Sequence, residues 1–308
     1  MIYIKEIGTY IPKQKINNYT NAERFSETKE FVDSKIGSEE LPQIAENENT
    51  SDMVVKAVEA LLEKSQLGKN EIEALVVVTQ NADFGGLPHC SAIAHGKLLL
   101  KPNVSCFDIS LGCSGYVYGL SILKAHMIEM GFKNAILVTA DPYSKIINRE
   151  DRVTSLLFGD AATATLLSTE GVFSIERPLL NTEGSGGEAL VKKEHLFMNG
   201  RQVFNFAATK VPAHITEYLT QYSLNKEDID AFILHQGSAS IVEVISRKLG
   251  LESKKAPLDI RKTGNTVSSS IPILLERYIH DKEGNNIIIS GFGVGLSWAT
   301  NLLRRKTC

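Results

Sequence analysis

The segment FDISLGCSGYVYGL, residues 107–120, places Cys113 between the end of an apolar strand and the start of a helix. Unpaired backbone N–H groups at a helix N-terminus favour a thiolate, which is the nucleophilic form of cysteine. Gly112 and Gly115 allow a tight turn and the close approach of a substrate. This arrangement is typical of covalent catalysts that hold the nucleophile at a strand-to-helix turn. The alternative is a buried structural thiol, the usual state of free cysteine.

Two polar residues in the second half of the chain are candidates to act with this thiol. His235 ends the apolar strand AFIL, where a neutral imidazole could donate a hydrogen bond to a substrate oxygen. Asn265 lies in TGNTVSSSIPILL, and its amide could donate beside the histidine. Both also have structural interpretations: a hydrogen-bonded histidine at a strand end, and an asparagine in a turn before a serine-capped helix.

A glycine-rich segment, SGFGVGLSWATNLLRR, covers residues 290–305. Its spacing of glycines also occurs in dinucleotide-binding loops, but those open a βαβ unit with an acidic residue about 20 positions further on. Too few residues follow Gly295 for such a unit, so we do not expect a nucleotide site. Its backbone N–H groups are instead candidates for an oxyanion hole, with a plain tight turn as the alternative.

Apolar runs alternate with segments of helical period along the chain, which is typical of an α/β fold. The predicted strands are EALVVVT (73–79), VSCFDIS (104–110), NAILVTA (134–140), ATATLLS (162–168), AFILHQ (231–236), APLDI (256–260) and NNIIISGF (285–292). Helices are predicted over 51–67, 114–130 and 211–224. The polar segment 180–195 is expected to be a flexible connection.

Similar segments recur in the same order in the two parts of the chain. The pairs are NEIEALVVVTQ (70–80) with EDIDAFILHQ (227–236), FDIS (107–110) with LDIR (258–261), and AILVTA (135–140) with NIIISG (286–291). This order favours a duplicated βα architecture over chance similarity between hydrophobic strands. Equivalent strand ends would then meet near a pseudo-twofold axis and bring Cys113, His235 and Asn265 to one site.

The composition excludes several classes of function. The chain has 308 residues, a formal net charge of -3 and 22% charged residues, without the basic stripe that a nucleic-acid backbone requires. No window approaches the roughly 20 apolar residues that span a bilayer, and no signal peptide is evident, so we expect a cytoplasmic protein. The absence of CxxC spacing argues against a disulfide framework or a zinc site. The cysteines are Cys90, Cys106, Cys113 and Cys308.

With its candidate residues in this order, the chain resembles the β-ketoacyl-acyl carrier protein synthase III family of the thiolase superfamily. The similar segments are TSDMVVKAVEALL, FDISLGCSGYVYGL, DRVTSLLFGDAATATLL, TEGSGGEAL, MNGRQVF, HQGSASI, GNTVSSSIP and GFGVGLSW. The resemblance implies a duplicated, five-layered αβαβα fold, with the nucleophile in an N-terminal half, 1–168, and the His/Asn pair in a C-terminal half, 169–308. It also implies a homodimer that binds neither metal nor resident cofactor, with coenzyme A thioesters as substrates.

The resemblance implies a role for each site residue. Cys113 would be acylated by an acyl-CoA or an acyl-acyl carrier protein. His235 and Asn265 would then hold the thioester carbonyl of malonyl-acyl carrier protein as it loses CO2, in fatty-acid initiation or in a specialised pathway. The N–H of Cys113 and one from the Val294/Gly295 region would hold the tetrahedral oxyanion.

Several substrate contacts of the family are altered. In the family a tryptophan and an arginine sandwich the CoA adenine; Phe31 and Lys35 lie at the corresponding places here, and Arg152 matches the second stacking partner. Ser238 replaces an asparagine near the pantetheine. Leu87 matches a position that borders the acyl pocket, often across the dimer.

The expected docking surface for the acidic carrier protein has also changed. Ser240 and Asn205 replace basic residues, whereas Arg247 and Lys248 still supply positive charge on that face. Because positive charges steer an acidic partner to its binding surface, we expect the replacements to weaken binding of the carrier protein.

Two other functions are compatible with these residues. One is an acyltransferase, or a non-decarboxylating condensing enzyme, that passes the acyl group from Cys113 to another acceptor. The other is an inactive thiolase-fold subunit that supports an active paralogue. The complete Cys/His/Asn set argues against the inactive subunit.

Overall fold

The computed structural model describes residues 1–281 and 284–306, so Cys308 lies outside the described residues. The strands are β1 (Tyr3–Tyr10), β2 (Lys15–Asn17), β3 (Glu40–Pro42), β4 (Ala74–Val78), β5 (Ser105–Ile109), β6 (Asn134–Ala140), β7 (Ala162–Ser168), β8 (Phe173–Ile175), β9 (Leu179–Thr182), β10 (Leu190–Lys192), β11 (Leu196–Met198), β12 (Ala231–Leu234), β13 (Asn286–Gly293) and β14 (Ser297–Arg305). The helices are α1 (Asn18–Glu23), α2 (Lys29–Phe31), α3 (Thr50–Ser65), α4 (Cys90–Leu98), α5 (Gly115–Met130), α6 (Arg152–Ser155), α7 (Gly200–Gln221), α8 (Ala239–Leu249) and α9 (Ser270–His280).

The main sheet is mixed and has the strand order β12-β13-β14-β8-β1-β7-β6-β4-β5, with β9 also paired to β14. On one side, β4 lies parallel to β5 and β6, and β7 is antiparallel to β6 and β1. On the other side, β12 lies parallel to β13, and β14 is antiparallel to β13. The short strand β8 joins the two groups, since it pairs with both β1 and β14.

The two faces of the strands pack against different helices. Val76 of β4 and Ile233 of β12 belong to one buried cluster with α5 and α9. Val77, on the opposite face of β4, packs with α3 and α4. Phe232, on the opposite face of β12, packs with α7 and α8. Because side chains alternate along a strand, this pattern confirms the five-layered αβαβα fold.

The central position of α5 fixes the place of Cys113, which precedes its first residue. The buried residues of this helix include Tyr116, Leu120 and Leu123, all 0% exposed. Full burial of one such side chain contributes about 1.5–3 kcal/mol. The helix therefore has little freedom to shift, and the turn before it is held at the junction of the two strand groups.

One predicted strand is wrong. Residues 256–260 form no strand, although the other predicted strands are confirmed within a few residues of their ends. Pro257 has no N–H for a ladder, and the Gln236 side chain bonds the local backbone instead: Nε2 donates to the Pro257 carbonyl at 3.3 Å and Oε1 accepts from the Asp259 N–H at 3.0 Å. The similarity of LDIR to FDIS therefore does not reflect a second strand.

The polar segment 180–195, expected to be a flexible connection, instead contains the end of β9, a 3-10 turn over Gly184–Ala189, and β10. The helix expected over 211–224 is confirmed but begins earlier, at Gly200, where the Asn199 side chain accepts from the Gln202 N–H. No helix among residues 1–281 and 284–306 is long and apolar enough to cross a membrane.

Candidate active site

Cys113 lies in a tight turn between β5 and α5 and is 5% exposed. The Gly115 N–H donates to the Gly112 carbonyl at 2.7 Å and closes the turn. A Cβ atom at Gly112 would lie 2.6 Å from Gln80 Oε1, so the Gln80 side chain would have to move to admit one. The predicted strand-to-helix turn is therefore present, with the thiol at the start of the helix.

The end of β13 packs directly against this turn. A Cβ atom at Gly293 would lie 2.7 Å from Cys113 Sγ, and one at Gly291 would lie 2.6 Å from the Cys113 carbonyl oxygen. The backbone N–H of Val294 bonds to the Cys113 sulfur and acts to lower its pKa. The glycine-rich segment thus brings bare backbone to the sulfur, and Gly295, with φ +139°, follows in the turn between β13 and β14.

His235 follows β12 and is 3% exposed. Its backbone N–H donates to the Ser290 carbonyl at 2.8 Å, and its ring atom Nδ1 lies 2.7 Å from Ser270 Oγ. The imidazole and the Phe292 ring form a T-shaped pair with their centroids 5.3 Å apart. Burial lowers the pKa of His235 to about 3. The imidazole is therefore neutral near pH 7 and can offer a hydrogen bond without a buried cation.

Asn265 lies in the turn before α9 and is 5% exposed. Its backbone is fixed on both sides, because its N–H donates to the Leu157 carbonyl at 2.9 Å and its carbonyl accepts from the Gly159 N–H at 3.1 Å. Its Oδ1 accepts from the Val267 N–H at 2.9 Å. The amide oxygen is thus used within the turn, and Asn265 also lines a cavity.

This cavity, of about 360 Å³, brings the three polar candidates together with four of the predicted substrate contacts. Its lining includes Cys113, His235, Asn265, Phe31, Lys35, Arg152 and Ser238. At its outer part the Arg152 guanidinium lies over the Phe31 ring, 5.8 Å from the centroid, and pairs with Glu27 at 2.6 Å. The cavity therefore leads from a charged and aromatic surface to the thiol.

Three other predicted residues lie elsewhere. Leu87 is 86% exposed on the loop after β4 and does not line this cavity. Arg247 and Lys248 occupy the last turn of α8, outside the cavity lining. Within the described chain they make no contact with the site, and any role for them requires a partner.

Sequence reasoning missed the residues that close the inner part of the cavity. Tyr143 packs on Phe158 at 4.9 Å between ring centroids, and its hydroxyl donates to Gln80 Oε1 at 3.1 Å. Leu190, from the segment expected to be a connection, also lines the cavity. Tyr143 lies three residues after the end of β6, so it could have been predicted, like His235, as a polar side chain that follows an apolar strand. No feature of the local sequence indicates that Leu190 lines the cavity.

Burial dominates the electrostatics of the thiol. It raises the pKa of Cys113 to about 12; the Asp141 charge adds to the rise, and the N–H groups of Val294 and Cys113 oppose it. Asp141 itself has a pKa raised to about 6 by burial. Among the described residues no group of three or more His, Cys, Asp or Glu is arranged to hold a metal ion. The site offers a protonated nucleophile beside two neutral hydrogen-bond donors.

Comparisons with known proteins agree with this geometry. Residues 107–183 match the family model described as 3-oxoacyl-[acyl-carrier-protein (ACP)] synthase III, and residues 219–305 match its C-terminal counterpart. The chain is 33% identical to the β-ketoacyl-[acyl-carrier-protein] synthase III of Clostridium beijerinckii, with 98% of each chain covered. A crystal structure of a 3-oxoacyl-(acyl-carrier-protein) synthase III has a TM-score of 0.93 at 28% identity, covering 98% of this chain and 99% of that one. The priming β-ketosynthase of the R1128 polyketide pathway has a TM-score of 0.89 at 26% identity, covering 99% and 96%. The chain belongs to the β-ketoacyl-acyl carrier protein synthase III family of the thiolase superfamily.

Proposed function

We propose that this chain is a condensing enzyme that joins a starter acyl group to a malonyl thioester with loss of CO2. The observation that supports this proposal most directly is that one cavity is lined by Cys113, His235 and Asn265 together. The nucleophile can hold an acyl group there while two neutral donors face the same space. Charge that develops on a carbonyl oxygen would meet preorganised dipoles, without a buried cation to desolvate.

In the first step the Cys113 sulfur attacks the carbonyl of an acyl thioester. The new C–S bond forms, the C–S bond to the donor breaks, and the donor thiol leaves with the proton that Cys113 gives up. The N–H groups of Cys113 and of the Val294/Gly295 region stabilise the tetrahedral oxyanion. The Val294 N–H bonds to the Cys113 sulfur. It therefore lies close to the carbonyl carbon that the sulfur would attack.

In the second step a malonyl thioester replaces the donor. Its C–C bond to the carboxylate breaks, CO2 leaves, and the electron pair forms an enolate whose oxygen accepts hydrogen bonds from His235 and Asn265. This step needs the imidazole proton at Nε2, and the Ser270 hydroxyl, 2.7 Å from Nδ1, would hold it there by donating to Nδ1. The enolate carbon attacks the acyl carbonyl, the Cys113 C–S bond breaks, and the sulfur regains a proton from solvent.

The substrates follow from the surfaces that lead to this site. We assign Phe31, Lys35, Arg152 and Ser238 to the pantetheine and nucleotide end of an acyl-CoA. Arg247 and Lys248, cations of the last turn of α8, are assigned to docking of an acidic carrier protein. The chain would work in the cytoplasm, with coenzyme A as a substrate carrier.

The assembly we propose is a homodimer of duplicated chains. The halves would be 1–168 and 169–308, a division supported by the gap between the end of β7 at Ser168 and the start of β8 at Phe173. The exposed Leu87 loop would contact the second subunit.

A specialised pathway is the second candidate setting. The likeness to a solved priming ketosynthase of a polyketide pathway favours it, as does the loss of basic residues at Asn205 and Ser240. Both settings use the same chemistry, and the identity of the acyl donor separates them.

The test uses the purified protein with a panel of acyl-CoAs and acyl carrier proteins. Intact mass should show an acyl adduct on wild-type protein and none on Cys113→Ala. With malonyl-acyl carrier protein added, CO2 and a β-ketoacyl thioester should form. An adduct without CO2 would indicate an acyltransferase, and no adduct with any donor would indicate an inactive subunit.

A further inference from the structure

Asp141 is a fully buried carboxylate at the end of β6, 0% exposed. It accepts hydrogen bonds from the Gln80 N–H at 2.7 Å and from the Ser268 hydroxyl at 2.5 Å. The Ser268 N–H and the Thr79 hydroxyl add to the stabilisation of its charged form. No cation among the described residues pairs with it. Burying a carboxylate without a cation costs free energy of folding. The groups bonded to Asp141 therefore indicate its role.

The turn that Asp141 holds is the one that contains Asn265. Val267 in this turn has φ +53°, a left-handed conformation that is strained for a β-branched residue. In that conformation its N–H donates to Asn265 Oδ1 at 2.9 Å. The direction of the Asn265 amide therefore depends on Val267, and the next residue, Ser268, is bonded to Asp141.

A second contact ties the same turn to β6. Ser269 Oγ lies 2.8 Å from Thr139 Oγ1 and donates to the Ala161 carbonyl at 3.1 Å. This anchor is neutral, whereas the neighbouring anchor at Asp141 is charged. Loss of the charge alone would therefore loosen the turn without releasing it completely.

The carboxylate also acts on the nucleophile. Its charge raises the pKa values of the Cys113 and Cys90 thiols and of the Tyr143 hydroxyl. One side chain is thus linked to Asn265 through hydrogen bonds and to Cys113 through its field.

We propose that Asp141 is a positioning residue for condensation: its carboxylate holds the turn that aims the Asn265 amide. This inference rests on the proposed function. Removal of the charge should slow CO2 release, because the Asn265 amide is no longer held in one direction. It should also speed alkylation of Cys113, because the thiolate loses a repulsive neighbour. A role limited to holding the fold would weaken both activities together.

The test compares Asp141→Asn with Ser268→Ala. The asparagine keeps the size of the side chain and an acceptor for the Gln80 N–H, but it removes the charge. The alanine removes one donor from the turn and keeps the charge, so it is the matched control. Three quantities are measured on folded protein: CO2 release from malonyl-acyl carrier protein after loading of Cys113, the iodoacetamide alkylation rate of Cys113 mapped by peptide mass, and hydrogen exchange over residues 264–269.

For Asp141→Asn we expect CO2 release to fall by about tenfold or more, alkylation at pH 8 to rise by about threefold or more, and hydrogen exchange in the turn to accelerate. For Ser268→Ala we expect slower CO2 release and faster exchange without faster alkylation. Unchanged CO2 release in Asp141→Asn, a parallel fall in both chemical readouts, or equal acceleration of alkylation in the two variants would overturn the inference.

Failure of the proposed function has a different signature. In that case the wild-type protein itself releases no CO2. Hydrogen exchange and alkylation then still decide the role of Asp141, since neither needs turnover. Unchanged exchange or unchanged alkylation in Asp141→Asn would overturn the inference there as well.

Discussion

At the scale of single residues, burial sets the protonation of the whole site. The same exclusion of water raises the pKa of Cys113 to about 12 and lowers that of His235 to about 3. Both side chains are therefore neutral in the resting site. In the proposed reaction, charge appears only when a substrate supplies the carbonyl that receives it, and the backbone N–H groups and the Asn265 amide would stabilise it there.

The depressed pKa of His235 predicts a loss of stability in acid. The unfolded chain binds a proton on this histidine below pH 6.5 while the folded chain does not, so stability falls as pH drops from 6.5 toward 3. Between pH 7.5 and 5 the contribution is about 2 kcal/mol. Denaturant unfolding at both pH values gives the change in unfolding free energy for wild type and for His235→Gln. The difference between the two changes is the contribution of His235, because other groups such as Asp141 contribute equally to both.

His195→Gln, at an exposed position, is the matched control for that measurement. We expect its unfolding free energy to change with pH as that of wild type does. An equal pH dependence in His235→Gln and wild type would contradict the assignment of a neutral, buried imidazole.

Tyr143 predicts how far the acyl chain can extend. Its ring and that of Phe158 close the inner part of the cavity, so Tyr143→Ala should add space beyond the thiol. We expect kcat/KM to shift toward longer acyl-CoAs, by about tenfold in the ratio of an eight-carbon to a two-carbon donor. Tyr143→Phe keeps the ring and should keep the wild-type chain-length preference; the same shift in both variants would be inconsistent with a steric limit.

At the scale of elements, the site consists of strand ends and the turns that follow them. β5 leads to Cys113, β12 to His235, β13 to the glycine-rich turn and β6 to Asp141. This is why sequence patterns could identify Cys113 and His235 as candidates: apolar strands are recognisable, and polar residues at their ends are few. In the described chain Asn265 follows no strand, and it is a candidate because of its turn before a serine-capped helix. Leu190 could not be found in this way, because its approach to the cavity depends on how β10 and the 3-10 turn before it pack.

The failed prediction at 256–260 has a related cause. Its apolar residues predict a strand, but Pro257 has no N–H to donate to a neighbouring strand. The Gln236 side chain instead forms hydrogen bonds with the Pro257 carbonyl and the Asp259 N–H. A side-chain amide from a distant turn is invisible to a local pattern. The fold class could be predicted from alternation and repetition, whereas this element could not.

The end of β13 predicts a steric requirement at Gly293. An added Cβ would lie 2.7 Å from Cys113 Sγ and 2.9 Å from Cys113 Cβ, and Gly293 is held in β13 by its pairing with Ser297. We expect Gly293→Ala to cost about 1–3 kcal/mol of stability and to reduce acylation of Cys113 at least tenfold. Thermal unfolding and intact mass after incubation with acyl-CoA measure the two effects.

Gly184→Ala is the control for added volume, since nothing lies within 4 Å of a Cβ there. It should leave acylation at the wild-type rate. If Gly293→Ala were acylated as fast as Gly184→Ala, the contact of β13 with the sulfur would be looser than its geometry implies.

At the scale of the whole molecule, the two strand groups share the central helices, and the site lies where they meet. The buried cluster around α5 and α9 includes residues from both groups. The repeated segments predicted that strand ends of the two groups lie close together, and Cys113 and His235, which follow β5 and β12, do line one cavity. The outer surfaces are less predictable, because the sequence does not say which exposed apolar residues face a partner.

One such surface predicts self-association. Phe84 and Leu87 are 77% and 86% exposed on the loop after β4. Beside this loop is an open cavity of about 530 Å³ whose lining includes Gly85 and Gly86. The neighbouring strand β5 ends the sheet and has one unpaired edge within the described chain. Exposed apolar side chains beside an open strand edge are features that association with a second copy would cover.

We therefore expect wild-type protein to sediment as a dimer and Leu87→Asp to shift it toward monomer, because a carboxylate at the interface would lose its hydration. Leu258→Asp, also at an exposed leucine but away from this loop, is the matched control and should remain dimeric. Sedimentation equilibrium across a range of protein concentrations distinguishes the two. If the dimer persists unchanged in Leu87→Asp and in Phe84→Asp, the loop does not contribute to the interface, and the apolar residues must serve the binding of another partner.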